Sequence, residues 1–476
     1  MSNTSMQGYK VAVVGGGVIG GGWIARFLLM GADVKVFDPD PEAERKIGEV
    51  LDNARRSLPG LYEHRLPREG SLGLVETLEQ AVSEAGWICE CVPERLDLKQ
   101  QVYADIQSHC RDDALIASST SGFKPSELQQ GATRPSQILV AHPFNPVYLI
   151  PLVEMVGDAD TVAQAMPIMQ QIGMHPLHVR KEIDAHIADR LLEAVWREGL
   201  WLVNDGIATT EEIDDAIRYG FGLRWAQMGL FETYRIAGGE AGMAHFIKQF
   251  GPALAWPWTK LMDVPELTPE LVQTIADQSD AQSGMHSIRE LERIRDNNLV
   301  AMMRALKGQN WGAGALLNEI DTTLKTSNEV DLTQFLATVN RVVPNDWTDY
   351  NGHMNDARYG QVFSDATDRV MQMIGADADY IASGNSYFTV DSQITYIDEC
   401  HAGARIKVTS KITLGEGKKL KMQHAMRDDN DRLLATSEQF LLHVDLNTRK
   451  SSLPTAEVQA KIDTAATAHA KLSALY

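Results

Sequence analysis

Residues 11–38 constrain the fold of this chain more than any other part of it. The stretch opens with the apolar run VAVV, passes through the glycine-rich sequence GGGVIG at 15–20, and continues with helical periodicity to Gly31. A second apolar run follows at 34–37 and stops at Asp38. This order of strand, glycine turn, helix, strand and acid is typical of a βαβ unit that binds a dinucleotide.

The residue types in this unit suit that task. Gly15 permits a tight turn, Gly17 lets the backbone approach a pyrophosphate at the helix N-terminus, and Gly20 lets the helix pack closely on the strand. Asp38 would accept hydrogen bonds from the ribose hydroxyls of NAD and repel the 2′-phosphate of NADP. A glycine-rich turn in another kind of α/β protein is the alternative. We predict NAD as the cofactor, with contacts from Gly15, Gly17, Val18, Ile19, Gly20 and Asp38.

Composition limits the class of protein. A chain of 476 residues with 44% hydrophobic and 23% charged residues is expected to form two or three globular domains. The net charge of −20 opposes binding to nucleic acid or to an anionic membrane. No apolar run spans a bilayer and the N-terminus lacks the form of a signal peptide, so we expect a cytoplasmic protein. The four cysteines lack the spacing of a zinc site, so we expect reduced thiols and no metal.

The pattern of apolar residues divides the chain into parts. Over 1–184, strands alternate with helices and end in small polar loops, which predicts a parallel doubly wound sheet that binds ligands at its carboxyl edge. Over 185–321 the periodicity is helical with almost no strand pattern, which predicts an all-α second domain. A polar segment at 322–334 is predicted to be a linker. Residues 335–476 combine one long amphipathic helix with alternating strands, which predicts a compact α+β domain.

Four motifs identify a family for the first two parts. They are GGGVIG, ASSTSGF at 117–123, AHPFNP followed by PLVEMV at 141–156, and HIADRLLEAVWREGL at 186–200. On these motifs, residues 9 to about 310 resemble the 3-hydroxyacyl-CoA dehydrogenase superfamily. The resemblance implies that His142 is the catalytic base, Glu154 its carboxylate partner and Ser121 a contact of the substrate hydroxyl.

The chemistry of these side chains agrees with the resemblance. Oxidation of a secondary alcohol needs a base that titrates near neutrality, and histidine is suited to it. A carboxylate on the far ring nitrogen fixes the tautomer and stabilises the imidazolium, and a serine hydroxyl can donate to the developing carbonyl oxygen. A single histidine is more often structural, but the position of His142 after a strand of a dinucleotide fold favours catalysis.

Two features bear on the substrate of this site. Asp189 stands where the superfamily usually has asparagine: its side chain either lies near the nicotinamide, attracts a cationic substrate, or replaces the asparagine as a neutral polar residue. The segment between Asp38 and Trp87 is short for the helical extension that grips CoA, which argues against an acyl-CoA substrate. An aromatic stripe in the second domain is either a packed core or a cage for a quaternary ammonium. Its members are Trp196, Trp201, Tyr219, Phe221, Trp225, Phe231 and Tyr234. Arg190, Arg224 and Lys124 are candidates to bind a substrate carboxylate.

The third region contains its own motif. The sequence DWTDYNGHMN at 346–355, followed by Tyr359 on the next helix, resembles the hotdog-fold acyl-CoA thioesterases of the 4-hydroxybenzoyl-CoA type over residues 335–450. The resemblance implies that Asp349 acts as base or nucleophile on a thioester, with the helix start polarising the carbonyl. G-x-S-x-G is absent, which argues against a serine hydrolase. A hotdog domain kept only for dimerisation is the alternative.

The fusion of these two regions resembles the bacterial L-carnitine 3-dehydrogenases of the route from carnitine to glycine betaine. That resemblance implies NAD-dependent oxidation of L-carnitine to 3-dehydrocarnitine, and hydrolysis of the acyl-CoA thioester betainyl-CoA. Both folds usually pair, so we expect a homodimer. Three alternatives stay open: a 3-hydroxyacyl-CoA or L-gulonate-type dehydrogenase with a structural hotdog domain, a dinucleotide-binding structural or sensor protein, and a chain in which only the thioesterase is active.

Overall fold

The computed structural model describes residues 6–62, 66–237, 247–248, 259, 266, 268–327, 330–344 and 347–476. Asp346, the first residue of the motif in the third region, lies outside these ranges. The chain divides into two compact units. Unit 1 comprises Met1–Leu58 and Pro67–Ile320, and unit 2 comprises Pro59–Leu66 and Asp321–Tyr476.

Unit 1 contains one eight-stranded sheet. Its strands are β1 Lys10–Val14, β2 Asp33–Phe37, β3 Leu72–Leu74, β4 Trp87–Glu90, β5 Leu115–Ser118, β6 Ile138–Pro143, β7 Leu152–Val156 and β8 His175–His178. They lie in the order β3-β2-β1-β4-β5-β6-β7-β8. β1 to β6 are parallel, as predicted for a doubly wound sheet, whereas β7 runs antiparallel to β6. The strand order reverses direction at β1, which is where ligands bind in such sheets.

Helices flank this sheet and then form the helical part of unit 1. The helices of the α/β part are α1 Val18–Leu29, α2 Ala43–Ser57, α3 Leu78–Val82, α4 Leu96–His109, α5 Pro125–Leu128 and α6 Ala159–Gln171. The helical part contains α7 Ala188–Asn204, α8 Thr210–Ala216, α9 Gly222–Ala237, α10 Pro269–Ser283, α11 Ile288–Lys307 and α12 Ala313–Ser327. These helices agree with the helical periodicity over 185–321. A π-helical turn at Ile217–Phe221 ends α8 early.

The buried strands explain why the sheet is the core of unit 1. Ala12, Val14, Ile88, Ile116 and Val140 are all buried and pack in one cluster with residues of the flanking helices. Strands covered on both faces are apolar throughout, so their polar side chains concentrate where the strands end. The carboxyl ends of β1, β2, β5 and β6 therefore lead directly into the predicted site residues.

Unit 2 is an antiparallel sheet with a long helix packed on it. Its strands are β9 Leu336–Val342, β10 Asn385–Tyr396, β11 Arg405–Glu416, β12 Lys419–Asp428, β13 Leu433–Asp445 and β14 Lys450–Ser451, and its helices are α13 Asp356–Met373, α14 Ala378–Ala382 and α15 Ala456–His469. The main sheet has the order β10-β13-β12-β11-β9. Val362, Phe363 and Ala366 of α13 are buried against it. The predicted α+β hotdog domain is confirmed, and the structure adds the helices α14 and α15 to the one long helix that was predicted.

The last helix of the helical part continues beyond its predicted end. α12 extends across the first part of the segment predicted to be a linker, because a polar composition does not prevent a helix from forming. All four cysteines are free thiols. Among the helices that the structure describes, none combines the length and the apolar character that crossing a membrane requires.

Candidate active sites

The glycine turn between β1 and α1 is shaped for a dinucleotide. Gly15 has φ +99°, and a Cβ there would lie 2.7 Å from the carbonyl oxygen of Cys91. A Cβ on Gly20 would lie 1.8 Å from the carbonyl oxygen of Gly15, so α1 can approach the turn only because Gly20 has no side chain. A Cβ on Gly17 would meet nothing within 4 Å. The space in front of Gly17 is therefore open to a bound pyrophosphate.

The first turn of α1 and Asp38 provide the polar part of this cradle. Within the described ranges no side chain caps α1 and its first turn holds no acidic residue, so its N-terminal N–H groups face the open space. Val18, in that turn, is exposed. The Asp38 carboxylate is held by the N–H of Gly16 at 2.5 Å and the N–H of Asp40 at 2.7 Å. Its remaining lone pairs can accept ribose hydroxyls, so the residues present fit NAD.

His142 and Glu154 are directly opposite each other in the sheet. Antiparallel pairing of β6 with β7 puts the two residues in register on the same face. Nδ1 of His142 lies 3.1 Å from Oε2 of Glu154, and both side chains are buried. A buried carboxylate accepts rather than donates, so the ring proton is on Nδ1 and the lone pair of Nε2 is available as a base.

Glu154 is fixed on its other oxygen as well. Oε1 accepts hydrogen bonds from the backbone N–H groups of Ile187 at 2.8 Å and Ala188 at 2.9 Å. Burial alone would raise the pKa of Glu154, but the hydrogen bonds from His142 and from these two N–H groups hold that pKa below its usual value. The chain just before them adopts positive φ at Ala185 (59°) and His186 (50°), a costly backbone that is typical of functional sites.

The second ring nitrogen of His142, Nε2, lies near two polar side chains. Nε2 of His142 lies 3.3 Å from Oγ of Ser121, which follows β5, and 3.6 Å from Oδ2 of Asp189, in the first turn of α7. Phe144 packs edge-on against the ring with a centroid separation of 4.8 Å. The structure therefore brings Ser121, His142, Glu154 and Asp189 together as the sequence predicts.

His186 is a member of this cluster that the sequence analysis missed. It is fully buried, and its ring centroid lies 5.5 Å from that of His142. Nε2 donates to the carbonyl oxygen of Thr120 at 3.4 Å, while Nδ1 is buried without a partner among the residues described. Burial, and then the nearby His142, lowers the pKa of His186. No local pattern distinguishes this histidine, because it reaches the site only through the turn that leads into α7.

A buried charge network beneath the Ser121 loop was also missed. The carboxylate of Glu90 accepts from Lys99 Nζ at 2.8 Å, from Tyr103 at 2.5 Å and from Ser118 at 2.7 Å. Glu94 binds Lys99 at 3.3 Å and accepts a hydrogen bond from the hydroxyl of Thr120, next to Ser121. Since buried charges persist only when paired, this network fixes the loop that presents Ser121.

The aromatic stripe is not the packed core of a single chain. Trp196, Tyr219 and Phe231 are exposed, and Phe221 contacts Trp225 with ring centroids 4.5 Å apart. The structure does not assemble a closed aromatic cage from the residues that it describes. Of the candidates to bind a carboxylate, Lys124 pairs with Asp184 at 2.9 Å, whereas Arg190 and Arg224 are exposed.

In unit 2, Asp349 lies in a tight turn before α13. Its Oδ1 accepts from the N–H of Asn351 at 2.8 Å and of His353 at 3.2 Å, which leaves Oδ2 to face a substrate. Asn355 caps α13 through a hydrogen bond from the N–H of Ala357. Behind this turn, burial raises the pKa of Tyr359 to about 12, so its hydroxyl stays protonated. A partly exposed carboxylate beside a helix start can attack a thioester carbonyl or deprotonate the water that attacks it.

Comparison with known proteins matches both parts of the chain to known families. Residues 10–183 match the NAD binding domain of 3-hydroxyacyl-CoA dehydrogenase, residues 186–271 its C-terminal domain, and residues 342–462 the thioesterase-like superfamily. An L-carnitine dehydrogenase/betainyl-CoA thioesterase of Ruegeria pomeroyi is 65% identical over 471 residues, which cover 97% of this chain and 96% of that protein. This chain belongs to the same family.

Two other similarities concern the first unit. An L-carnitine dehydrogenase of Mesorhizobium japonicum is 58% identical over 316 residues, which cover 64% of this chain and 87% of that protein. A solved structure of an NAD+-dependent dismutase, 5-formyl-3-hydroxy-2-methylpyridine 4-carboxylic acid 5-dehydrogenase, is 28% identical. It covers 63% of this chain and 99% of that one with a TM-score of 0.55.

Proposed function

We propose that this chain oxidises L-carnitine to 3-dehydrocarnitine with NAD+ and, in its second unit, hydrolyses betainyl-CoA to glycine betaine and CoA. The observation that supports the first activity best is the cross-strand pair of His142 and Glu154, in which His142 lies at the carboxyl end of β6 in a dinucleotide-binding sheet. The names of the relatives supply the substrates, since they cover almost the whole length of this chain.

His142 is the proposed base of the dehydrogenase. NAD+, which the glycine turn at 15–20 and Asp38 would hold, would supply the acceptor for the hydride of the carbinol carbon. Nε2 of His142 removes the hydroxyl proton, and the imidazolium that forms is stabilised by Glu154 through Nδ1. Ser121, 3.3 Å from Nε2, donates a hydrogen bond to the oxygen that becomes the carbonyl. His142 and Ser121 therefore act on the same substrate oxygen or on its proton, and Glu154 acts through His142.

Asp189 is the proposed contact of the cationic end of the substrate. Its carboxylate lies 3.6 Å from Nε2 of His142, so it adds negative charge beside the position of the substrate. A quaternary ammonium has no N–H to donate and is recognised by charge and by aromatic faces. Asparagine at this position would keep the size of the side chain and lose that charge, which is why Asp189 favours carnitine over a neutral 3-hydroxyacyl group.

Asp349 is the proposed carboxylate of the thioesterase. Two backbone N–H groups of the turn bind its Oδ1 and so fix the orientation of the whole carboxylate, including Oδ2. It either attacks the thioester carbonyl and forms a mixed anhydride that water then hydrolyses, or removes a proton from the water that attacks the carbonyl directly. In both routes the C–S bond breaks, and CoA takes up a proton and leaves as the thiol. Asp349 and the two N–H groups that hold it all belong to unit 2.

One substitution in each site, with both activities measured on each variant, tests the two sites. We expect His142→Ala to abolish NADH formation from L-carnitine and to leave betainyl-CoA hydrolysis intact, and Asp349→Asn to have the opposite effect. His175→Ala and Asp463→Asn, at exposed positions of the two units, are the matched controls. Loss of both activities in folded His142→Ala protein would contradict two independent sites. Reduction of NAD+ by 3-hydroxybutyryl-CoA but not by carnitine would refute the proposed substrate.

We also propose a cytoplasmic homodimer. α7 presents Leu191, Leu192 and Trp196 with 55%, 56% and 61% of their surface exposed, an apolar stripe that a second copy would cover. β10 is an edge strand whose far side has no partner strand in the described sheet. The four free thiols suit a reducing compartment. Analytical ultracentrifugation is expected to show a dimer that Trp196→Glu weakens, and a monomeric wild-type protein would refute this part of the proposal.

A further inference from the structure

Three side chains of unit 2 converge beside the Asp349 turn in a way that hydrolysis does not require. His353 ends the turn, and Glu399 and His401 lie on the loop between β10 and β11. An isolated antiparallel bridge pairs His353 with His401, so the backbone itself holds the two histidines side by side. Their ring centroids are 4.8 Å apart.

The potential ligand atoms have the spacing of a metal site. Nε2 of His353 lies 3.4 Å from Oε2 of Glu399, and Nε2 of His401 lies 3.7 Å from Oε1 of the same carboxylate. When one ligand atom is taken from each of the three residues, these atoms all lie within 4.8 Å of one another. Zinc ligands at about 2.0–2.1 Å in a tetrahedron are separated by about 3.3 Å, so a small adjustment of exposed side chains would complete the geometry.

A hydrogen bond behind the cluster prepares one histidine for coordination. Nδ1 of His401 lies 3.1 Å from the carbonyl oxygen of Gly352, which can only accept. The ring proton is therefore on Nδ1, and the lone pair of Nε2 points toward Glu399. Histidine ligands of metals are typically oriented by this kind of outer contact, which fixes the tautomer.

We propose that His353, Glu399 and His401 bind one divalent transition-metal ion of the zinc type. Two imidazoles and one carboxylate are a ligand set that Zn²⁺ accepts, and a fourth position is left for water. Mg²⁺ and Ca²⁺ are not favoured, because they prefer sets made of oxygen ligands. The ion would join the Asp349 turn to the loop between β10 and β11. This inference does not depend on the reactions proposed above.

Isothermal titration calorimetry tests the proposal: the tag-free full chain is first stripped of metal with a chelator, and ZnCl2 is then titrated into it. We expect one saturable site per chain in the wild type, and a Kd raised at least about tenfold in His401→Gln and in Glu399→Gln. Glu416→Gln, which removes an exposed charge elsewhere in unit 2, is the matched control and should bind as the wild type does. Thermal unfolding without metal verifies that each variant is folded.

The coordination geometry gives a second measurement on the same proteins. Co²⁺ in a tetrahedral site with two imidazoles is expected to produce strong visible d–d absorption in the wild type, and His353→Gln or Glu399→Gln should lose it. The proposal is overturned if the wild type shows no saturable binding of Zn²⁺. It is equally overturned if His401→Gln and Glu399→Gln bind Zn²⁺ as tightly as the wild type, because the ion would then lie elsewhere.

Discussion

Replacing Glu154 by glutamine tests the account of the base most sharply, because the structure dictates how the new amide must sit. Two backbone N–H groups, of Ile187 and Ala188, donate to Oε1 of Glu154. In Glu154→Gln the amide oxygen must occupy that position, so the NH2 group faces Nδ1 of His142. Nδ1 then has to accept a hydrogen bond, which moves the ring proton to Nε2. The base is lost although its position is unchanged.

The size of the effect follows from charge and tautomer. The imidazolium formed in the reaction loses a carboxylate whose oxygen is 3.1 Å from Nδ1. At an effective dielectric constant of about 20 and a charge separation of about 4 Å, this interaction is worth about 4 kcal/mol, or about 10³ in rate. The reversed tautomer adds to the loss, and the equivalent change in a serine protease triad costs about 10⁴. We therefore expect kcat to fall by about 10³ to 10⁴.

Steady-state NADH formation from L-carnitine measures this prediction directly. Glu84→Gln, at an exposed ion pair with Lys35, is the matched control and should keep the wild-type rate. Hydrolysis of betainyl-CoA by the same preparation verifies that unit 2 is intact, and binding of NAD+ verifies unit 1. If Glu154→Gln keeps its kcat within about tenfold of the wild type, the proposed tautomer control is wrong.

Three further predictions follow from local geometry. Gly20→Ala puts a Cβ 1.8 Å from the carbonyl oxygen of Gly15, so we expect loss of NAD+ binding and a destabilisation of about 1–3 kcal/mol in thermal unfolding. The control is Gly48→Ala, whose Cβ would meet nothing within 4 Å and which should therefore be tolerated. Asp189→Asn should raise KM for L-carnitine about tenfold, equivalent to about 1.4 kcal/mol, and leave KM for NAD+ unchanged; an unchanged carnitine KM would contradict the cationic contact. Burial lowers the pKa of His424 to about 3, against about 6.5 in the unfolded chain. Between these two pH values the unfolded chain binds a proton that the folded chain does not. The free energy of unfolding should therefore fall by up to about 1.4 kcal/mol for each pH unit as the pH is lowered from about 6.5 to about 3. His424→Gln should flatten that acid dependence in thermal unfolding, and an equally steep dependence would refute the assignment.

The dinucleotide unit could be predicted in detail because its determinants are local. Gly15, Gly20 and Asp38 belong to one short stretch in which each residue type has a steric or electrostatic reason. The helices at 188–204 and 288–307 were predictable for the same reason, since periodicity is a property of neighbouring residues. The structure adds that Gly17 faces open space, which the motif alone only implies.

The rest depended on contacts between distant residues. Local sequence gives no indication that β7 turns back against β6, and it is this antiparallel register that places Glu154 on His142. His186 enters the site through two residues of positive φ, a conformation that neither Ala185 nor His186 favours on its own. The cluster of His353 with Glu399 and His401 joins segments almost fifty residues apart, so cysteine and histidine spacing could not reveal it.

The most direct test of the central claim is the substrate dependence of NAD+ reduction by the full chain. Initial rates of NADH formation should be measured with L-carnitine, with 3-hydroxybutyryl-CoA and with 3-hydroxybutyrate, which lacks the trimethylammonium group. The proposed function predicts efficient turnover of L-carnitine that depends on His142, and little turnover of the other two alcohols. Efficient turnover of either of those alcohols in preference to L-carnitine, or carnitine oxidation that survives His142→Ala, would contradict it.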